Sequence, residues 1–136
     1  LPFPTDYRNI KVRAVGFLPA ADLPTLYSTA DILLFPSQAE SFGLTPLEAA
    51  SCGAVPVLFG VGPLAENTID GVTGVVVPPF DTDFFAAKIA ALLNDVDARD
   101  RLSKAGHEHI MKEFDPETVA KNYFELFGKI TRPPVG

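Results

Sequence analysis

Residues 32–59 read ILLFPSQAESFGLTPLEAASCGAVPVLF and contain two apolar runs on either side of a helical segment. The first run, Ile32 to Pro36, is continuously apolar, which is typical of a strand buried on both faces of a helix-covered sheet. Leu44 to Ser51 predicts a helix, because its proline lies in the first turn, where it is tolerated, and Gly53 ends the segment. Ala54 to Phe59 reads as another buried strand, so the stretch predicts a parallel strand–helix–strand unit.

The segments on both sides continue this alternation. Upstream, Lys11 to Phe17 has the β-branched content of a strand, and Asp22 to Ala30 has a capping residue followed by a short helical pattern. Downstream, the sequence predicts in order a turn at 60–63, a short helix at 64–69, a tight turn at 70–71 and a short strand at 74–77. The fold class predicted is therefore α/β, with a Rossmann-like doubly wound parallel sheet and right-handed crossovers.

The last third of the chain is predicted to be helical. Asp81 can cap a first helix, whose apolar face consists of Phe84, Phe85, Ile89, Leu92 and Leu93. A second helix is predicted at 97–114. A third begins at Asp115-Pro116 and carries Val119, Tyr123, Phe124, Phe127 and Ile130 as core or docking residues.

Composition limits the classes of function. The chain has 136 residues with 47% hydrophobic content, which suits one domain, and a formal net charge of −6. No basic field would attract phosphates, which argues against nucleic acid or an anionic membrane surface as the main partner. One cysteine and no Cys/His cluster give no internal disulfide and no metal site. The single cysteine suits a reducing cytosol, so we expect a cytoplasmic protein. No apolar stretch approaches the roughly 20 residues of a membrane helix, so no transmembrane segment is expected.

Two glutamates stand out near the predicted binding edge. Ligands of doubly wound sheets bind beyond the carboxyl ends of the strands, which here are the loops at 17–19, 37–43 and 60–63. Glu40 lies in the middle loop, and Glu48 lies one turn into the following helix. A carboxylate has two acceptor oxygens, which match the vicinal hydroxyls of a sugar or a ribose. Each glutamate could therefore bind a different ring of one elongated ligand.

The start of the helix between them offers an anion site. The main-chain N–H groups of Phe42, Gly43, Leu44 and Thr45 are donors at a helix start, and Gly43 lets a ligand approach the main chain. A pyrophosphate fits such donors. Together with the two carboxylates, this arrangement predicts a nucleotide sugar as ligand.

The pattern ESFGLTPLEAASCGAVPV at residues 40–57 resembles the signature of glycosyltransferase family 4, a group of retaining GT-B glycosyltransferases. The likeness continues in VGFLPAADLPTLYSTADILLFPS upstream, and in DGVTGVVVPPFD and FDPETVAKNYFELF downstream. It implies that residues 11–130 form part of the nucleotide-sugar-binding C-terminal domain, between a linker or truncated end at 1–10 and a tail at 131–136.

The resemblance also implies roles for individual residues. Glu40 would be the catalytic-site carboxylate that binds the donor sugar hydroxyls, and Glu48 would bind the ribose. Phe42, Gly43 and Leu44 would hold the diphosphate and sugar through their main chain. Gly16 and Phe17 would sit near the base, and Gly62 to Glu66, which are less firmly matched, would line the far wall. Such enzymes keep the anomeric configuration and need no metal or other cofactor.

The chain departs from the family in ways that affect activity. Relatives place an Arg and a Lys on the diphosphate, in an upstream segment that this chain lacks, and the acceptor-binding domain is absent as well. We therefore expect the parent protein, which could associate with the membrane periphery, to be active and the fragment alone to be inactive. The family's G-G-x-P-E-like turn reads GVGPLAE at 60–66, and Phe114 stands where many relatives have Trp. Without upstream strands, the sheet has an exposed edge through which two copies could pair.

Two other functions compete with a transferase. One is a non-catalytic module that binds a nucleotide sugar or serves an interaction. The other, weaker, is a sugar-nucleotide epimerase, which would need acid and base groups in the cleft, whereas the three loops contain no His. His107 and His109 are predicted to lie on a solvated helix face.

Overall fold

The computed structural model describes residues 6–7 and 10–131. Its strands are β1 (Asp6–Tyr7), β2 (Ile10–Lys11), β3 (Ile32–Phe35), β4 (Val55–Phe59) and β5 (Val75–Val77). Its helices are α1 (Leu23–Ser28), preceded by a 3-10 turn at Ala20–Asp22, then α2 (Leu44–Ser51), α3 (Leu64–Asn67), α4 (Thr82–Asn94), α5 (Val96–Glu113) and α6 (Pro116–Thr131). The helices and strands predicted from Asp22 onward are all present, with their ends shifted by at most two residues.

A parallel three-stranded sheet in the order β3-β4-β5 forms the centre of the fold. Ile32 pairs with Val55 at the start of the first ladder, and Val57 pairs with Val75 at the start of the second. Helices connect the strands, as parallel neighbours require. The predicted α/β fold with a parallel sheet is confirmed.

The main core lies between one face of this sheet and the C-terminal helices. It consists of Val55, Val57, Phe59, Val75 and Val77 from the strands with Phe85, Leu92 and Leu102 from the helices. The Phe59 and Phe85 rings are 5.1 Å apart between centroids. Full burial of each such side chain is worth about 1.5–3 kcal/mol, so α4 and α5 are tied to β4 and β5 mainly by apolar packing.

The prediction that the first apolar run is buried on both faces was wrong. Leu34 is 50% exposed, and the other three residues of β3 are half-buried. Among the described residues β3 pairs only with β4, so it is an edge strand whose outer side is not covered. A groove of about 350 Å³ runs along this edge and is lined in part by Leu34, Ile89 and Leu93.

The predicted strand at Lys11 to Phe17 was also wrong. Only Ile10–Lys11 is extended, and it pairs antiparallel with Asp6–Tyr7 rather than with the parallel sheet. Residues 12–19 have no regular structure, and Gly16 has φ +66°, which interrupts an extended chain. β-branched residues form a strand only where a partner edge and a core face are available, and this stretch has neither.

The apolar faces of two predicted helices are less buried than expected. On α4, Phe85 and Leu92 are buried and Ile89 is half-buried, because these three positions recur at helical spacing and lie on one face. Phe84 and Leu93 lie beside this face and are exposed. On α6 the exposed apolar side chains are Tyr123, Phe124, Leu126, Phe127 and Ile130. The α6 residues therefore do not belong to the core described above.

Two of the three predicted helix caps are present. Asp81 Oδ1 accepts a hydrogen bond from Phe84 N at 2.9 Å, and Asp115 Oδ2 accepts from two main-chain N–H groups of the next turn, at 3.0 and 3.1 Å. Asp22 stands at the start of α1 without a side-chain capping bond, because a 3-10 turn leads directly into that helix.

The predicted linker and tail fall largely outside the described residues. Of the linker at 1–10, residues 1–5 and 8–9 are not described, and of the tail at 131–136, residues 132–136 are not. Among the helices that are described, none combines the length and apolar character that a membrane span requires.

Candidate functional site

The loops that follow β3 and β4 meet beyond the carboxyl ends of these strands. Gly62 has φ +51°, and a Cβ atom at this position would lie 3.1 Å from the main-chain oxygen of Glu40. The two loops are therefore packed main chain against main chain. The prediction that the loops at 37–43 and 60–63 lie at one edge of the sheet is confirmed, because parallel strands end on the same side, whereas the loop at 17–19 follows no strand of this sheet.

Helix α3 packs against the residues that lead into α2. Leu64 is 1% exposed, and a Cβ atom on Gly43 would overlap its side chain. Asn67 Nδ2 donates a hydrogen bond to the main-chain oxygen of Phe42 at 2.8 Å. These two contacts fix the main chain immediately before α2. The Phe42 ring, 44% exposed, packs edge-on against Phe114, with centroids 6.4 Å apart.

The first turn of α2 presents uncapped N–H groups. Gly43 precedes the helix in the left-handed region, with φ 87° and ψ 53°, and has no side chain that could cap it. Pro46, in the same turn, has no N–H. The helix-start donors are therefore the N–H groups of Leu44 and Thr45, which lie beside an exposed leucine side chain. This turn suits an anion, since the helix dipole adds a partial positive charge.

Glu48 lies on the exposed side of α2 and faces α1. Its Oε2 atom accepts a hydrogen bond from the Tyr27 hydroxyl at 3.4 Å. Burial raises the pKa of Tyr27, and the charge of Glu48 and the hydrogen bond to it act in the same direction. The pair borders a cavity of about 190 Å³ whose other lining residues are Ala20, Leu23, Pro24, Ser51 and Cys52.

Glu40 has different neighbours from Glu48. It is half-buried in the loop between β3 and α2, which is shaped in part by a hydrogen bond from Ser37 Oγ to the main-chain oxygen of Ala39 at 2.9 Å. Its main chain contacts the loop after β4, whereas Glu48 contacts α1. Glu40 and Glu48 therefore lie on separate elements, the loop before α2 and α2 itself, and have different neighbours.

The structure does not bring every predicted residue into this group. Gly16 and Phe17 lie in the irregular stretch after β2, and the Phe17 ring is 94% exposed, so it packs against little of the chain. Their place near a base stays a prediction. Glu66 is exposed on α3, one turn from Gly62. Its assignment to the far wall of the site also stays a prediction.

Sequence reasoning missed Tyr27 and Asn67. Tyr27 lies inside the upstream segment that carries the family resemblance, but nothing in that segment indicates that its hydroxyl reaches a helix 21 residues further on. In the sequence, Asn67 lies near the end of the short helix predicted at 64–69, and nothing there indicates a partner for its side-chain amide. Only the packing of α3 under the loop gives its amide a partner on Phe42.

The charge around the α2 start is acidic. Residues 36–48 and 60–66 contain glutamates but no Lys or Arg. Within the part of the chain that the structure describes, no three His, Cys, Asp or Glu side chains are grouped so that they could hold a metal ion. These two stretches therefore place no side-chain cation beside the α2 start, whereas Lys112 lies in the last turn of α5, two residues before the Phe114 that packs against Phe42.

Comparison with protein families gives a match over most of the chain. The model described as "Glycosyl transferases group 1" matches residues 7–109, which include all elements from β2 to α4 and most of α5. A curated relative is the D-inositol 3-phosphate glycosyltransferase of Kribbella flavida, 41% identical over 97 residues, which are 71% of this chain and 23% of the relative. The chain thus spans about a quarter of the length of that relative.

Solved structures show the same fold. The sucrose-phosphate synthase of Thermosynechococcus elongatus matches with a TM-score of 0.80 and 32% identity, over 88% of this chain and 30% of that one. HepE of Anabaena, solved in complex with UDP and glucose, matches with a TM-score of 0.78 over 88% of this chain and 32% of that one. The sequence of HepE is 24% identical to this chain, so this comparison supports a common fold alone. Both confirm the predicted Rossmann-like architecture.

Proposed function

This chain belongs to the group 1 glycosyl transferases, and from that membership we propose that it forms part of the nucleotide-sugar site of a longer sugar-transferring enzyme. The family match includes the loops after β3 and β4 and the helices α1, α2 and α3, but not Phe114 at the end of α5. The similar proteins are named for different reactions, one a D-inositol 3-phosphate glycosyltransferase and one a sucrose-phosphate synthase. Family membership therefore supports sugar transfer as the class of reaction. The donor and the acceptor are to be identified by experiment.

The observation that carries the proposal is the uncapped first turn of α2 between two separate glutamates. The N–H groups of Leu44 and Thr45, with the main chain of Phe42 and Gly43, would hold the diphosphate. Glu40 would accept hydrogen bonds from the sugar hydroxyls, and Glu48 would accept them from the ribose. In this assignment Gly16 and Phe17 would approach the base, and Gly62 would line the wall opposite the sugar.

The finer parts of the proposal come from the likeness to glycosyltransferase family 4. In that reading the enzyme retains the anomeric configuration, needs no metal or other cofactor, and works in the cytoplasm or at the membrane periphery. This chain would be the second part of the C-terminal donor domain. If metal is indeed not needed, EDTA should leave nucleotide-sugar binding unchanged, and a loss of affinity restored by Mg²⁺ would contradict this part of the proposal.

The rest of the enzyme would supply what this chain lacks. A departing diphosphate carries about two negative charges, whereas a helix start offers roughly half a positive charge. The upstream Arg and Lys of the family would provide the remaining stabilisation, and the acceptor domain would position the attacking hydroxyl. We therefore expect the isolated chain to bind a donor weakly and to transfer nothing.

The acidic site supports one competing function, a non-catalytic module that binds a nucleotide sugar. The absence of Lys and Arg from residues 36–48 and 60–66 fits such a module as well as a partial active site. A transferase requires cations contributed by the preceding part of the parent chain. Substitution of those cations in the full-length parent should abolish transfer, and a parent that lacks them would favour the module. No observation favours the epimerase.

The open edge of β3 supports pairing between two copies of the isolated chain. Leu34 is half-exposed beside an apolar groove, and within the described residues the outer edge of β3 has no partner strand, which favours strand addition. Sedimentation analysis should show a dimer that Leu34→Lys reduces to a monomer. A wild-type monomer at high concentration would contradict this.

The function is tested by ligand-observed NMR with UDP-glucose, UDP-N-acetylglucosamine, GDP-mannose and ADP-glucose. Selective binding that Glu48→Ala removes would support the donor site and name the donor. Glu125→Ala, which removes an exposed helical glutamate from α6, is the matched control and should bind as the wild type does. No binding of any of the four at millimolar concentration would contradict a donor site in this chain.

A further inference from the structure

Two polar side chains of α5 bind the carboxyl end of α2. Ser103 Oγ donates a hydrogen bond to the main-chain oxygen of Gly53 at 2.6 Å, and His107 Nδ1 lies 2.6 Å from the main-chain oxygen of Ser51. Ser103 and His107 are four residues apart and therefore lie on one face of α5. The residues joined by these two contacts are 50 and 56 positions apart in the sequence.

Local bonds account for the other carbonyl groups at this helix end. The Glu48 oxygen accepts from Ser51 Oγ at 2.7 Å, and the Ala49 oxygen accepts from the N–H groups of Cys52 and Ala54 at 3.1 and 3.0 Å. The Ala50 oxygen accepts from Gly53 N at 3.1 Å. The last carbonyl groups of a helix lack donors within the helix. Here α5 supplies the donors for two further main-chain oxygens, those of Ser51 and Gly53.

Helix α5 also contacts the other end of α2, so it runs antiparallel along that helix. Its last turn leads to Phe114, whose ring packs against Phe42 just before α2. Gly106, between Ser103 and His107, allows close approach at the carboxyl end of α2, because a Cβ atom there would lie 3.0 Å from the Thr73 main-chain oxygen and 3.8 Å from Ala50 Cβ. The contacts of α5 therefore fix both the position and the direction of α2.

His107 lies on a solvated face of α5, as predicted, but it also makes a long-range contact that the sequence did not indicate. The side chain is exposed, yet its Nδ1 atom faces a carbonyl oxygen, which can only accept. The hydrogen must therefore be on Nδ1, whatever the protonation of Nε2. His109 differs, since its ring lies 6.1 Å from the ring of Phe114 and packs edge-on against it.

We propose that Ser103 and His107 are positioning residues for the nucleotide-sugar site and act through α2. This inference rests on the proposed function. Helix α2 is about 12 Å long at 1.5 Å per residue, so it moves as a short rod and a tilt at its carboxyl end displaces its first turn. That turn carries the Leu44 and Thr45 N–H groups. Small displacements of binding groups weaken ligand binding strongly.

The direct test compares His107→Ala with His107→Asn. Asparagine places an amide N–H close to the position of Nδ1 and should restore the bond to the Ser51 oxygen. Lys104→Ala, which removes an exposed polar side chain from the same helix, is the matched control. Ser103→Ala and Ser103→Thr form a second pair, in which threonine keeps the hydroxyl. All variants are first checked for folding by their thermal transitions.

Binding and helix direction are then measured separately. In titrations with the four nucleotide sugars named above, His107→Ala should bind about fivefold more weakly than the wild type, because the lost bond, worth about 1 kcal/mol, no longer holds α2 in its binding direction. His107→Asn should recover to within about twofold of the wild type on the same scale. Residual dipolar couplings of the α2 amides without ligand should change in His107→Ala and return in His107→Asn.

The outcomes separate the two proposals. Unchanged couplings in folded His107→Ala and Ser103→Ala would overturn the positioning role whether or not a ligand binds. The positioning role would also be overturned if the wild type binds a nucleotide sugar and His107→Ala shows changed couplings but the same affinity as the wild type. If the wild type binds none of the four nucleotide sugars, the proposed function fails. In that case the couplings alone decide whether α5 sets the direction of α2.

Discussion

The Tyr27 hydroxyl lies 3.4 Å from Oε2 of Glu48 and joins α1 to the exposed side of α2. The tyrosine is half-buried and the glutamate is exposed, so the contact restrains a carboxylate that would otherwise move freely in solvent. A carboxylate held in one direction loses less conformational freedom when it binds a ribose. If Glu48 binds the ribose, as we propose, Tyr27 would act together with it, although it lies on a different helix.

Tyr27→Phe should weaken nucleotide-sugar binding about threefold, because one modest hydrogen bond to Glu48 is lost while the ring is kept. The free energy of unfolding should change by less than about 1 kcal/mol, as is usual for exposed polar pairs. Isothermal titration and urea unfolding measure the two quantities. Tyr123→Phe on α6 is the control, and equal effects of the two substitutions on affinity would contradict the role of Tyr27.

The titration of Tyr27 should respond to Glu48. Burial is the largest cause of the raised pKa of Tyr27, followed by the charge of Glu48 and the hydrogen bond to it. Glu48→Gln should therefore move the pKa of Tyr27 back toward 10.0, its ordinary value, without reaching it. Tyrosine ¹³Cζ shifts measured against pH test this expectation. An unchanged titration in the variant would mean that Glu48 does not contact the hydroxyl in solution.

The same raised pKa has a consequence for stability at high pH. The folded state holds the Tyr27 proton more tightly than the unfolded chain does, so the stabilisation is fully present below the unfolded pKa near 10.0. It is lost as the pH rises through the folded pKa. Unfolding midpoints of the wild type should therefore fall more steeply above about pH 10 than those of Tyr27→Phe. Parallel curves for the two proteins would contradict this.

Gly43→Ala should destabilise the fold more than Gly71→Ala. Both glycines have positive φ, 87° and 71°, but a Cβ atom at Gly43 would overlap Leu64, whereas at Gly71 nothing lies within 4 Å. Backbone strain alone costs about 1 kcal/mol or more at each site, and the overlap should add roughly 1–3 kcal/mol at Gly43. Urea unfolding measures the difference. Equal losses would show that Leu64 can move aside at little cost.

Glu40→Ala and Glu48→Ala should differ in which ligands they affect. If Glu40 binds the sugar hydroxyls, its loss should weaken nucleotide-sugar binding about tenfold and leave plain UDP or GDP binding unchanged. Loss of Glu48 should weaken binding of both, because both contain the ribose. Titrations with each ligand distinguish the cases. Equal weakening of plain nucleotide by Glu40→Ala would contradict the assigned role.

Much of the fold and part of the site follow from local sequence. The α2 helix is set by an apolar pattern with Pro46 early and Gly53 after its end, and Gly53 indeed has φ +92°. The caps at Asp81 and Asp115 depend on residues within three positions. Such features involve neighbours in the chain, so pattern and turn chemistry are sufficient to predict them.

Features that depend on a partner strand were predicted poorly. Lys11 to Phe17 and β3 have similar strand-like composition, but the first lies outside the parallel sheet and the second is at its edge. Apolar content cannot distinguish a central strand such as β4 from an edge strand, because burial depends on what packs against both faces. That information comes from other parts of the chain.

The sequence by itself determined the α/β class, the position of α2 with Glu48 on it and Glu40 in the loop before it, and the meeting of two loops at one end of the sheet. These follow from local periodicity and from the rule that parallel strands end on the same side. Only the tertiary structure decided that Tyr27 faces Glu48, that Asn67 holds Phe42, and that His107 binds the end of α2. These pairs are 21, 25 and 56 residues apart, and their geometry depends on how whole helices pack rather than on any local pattern.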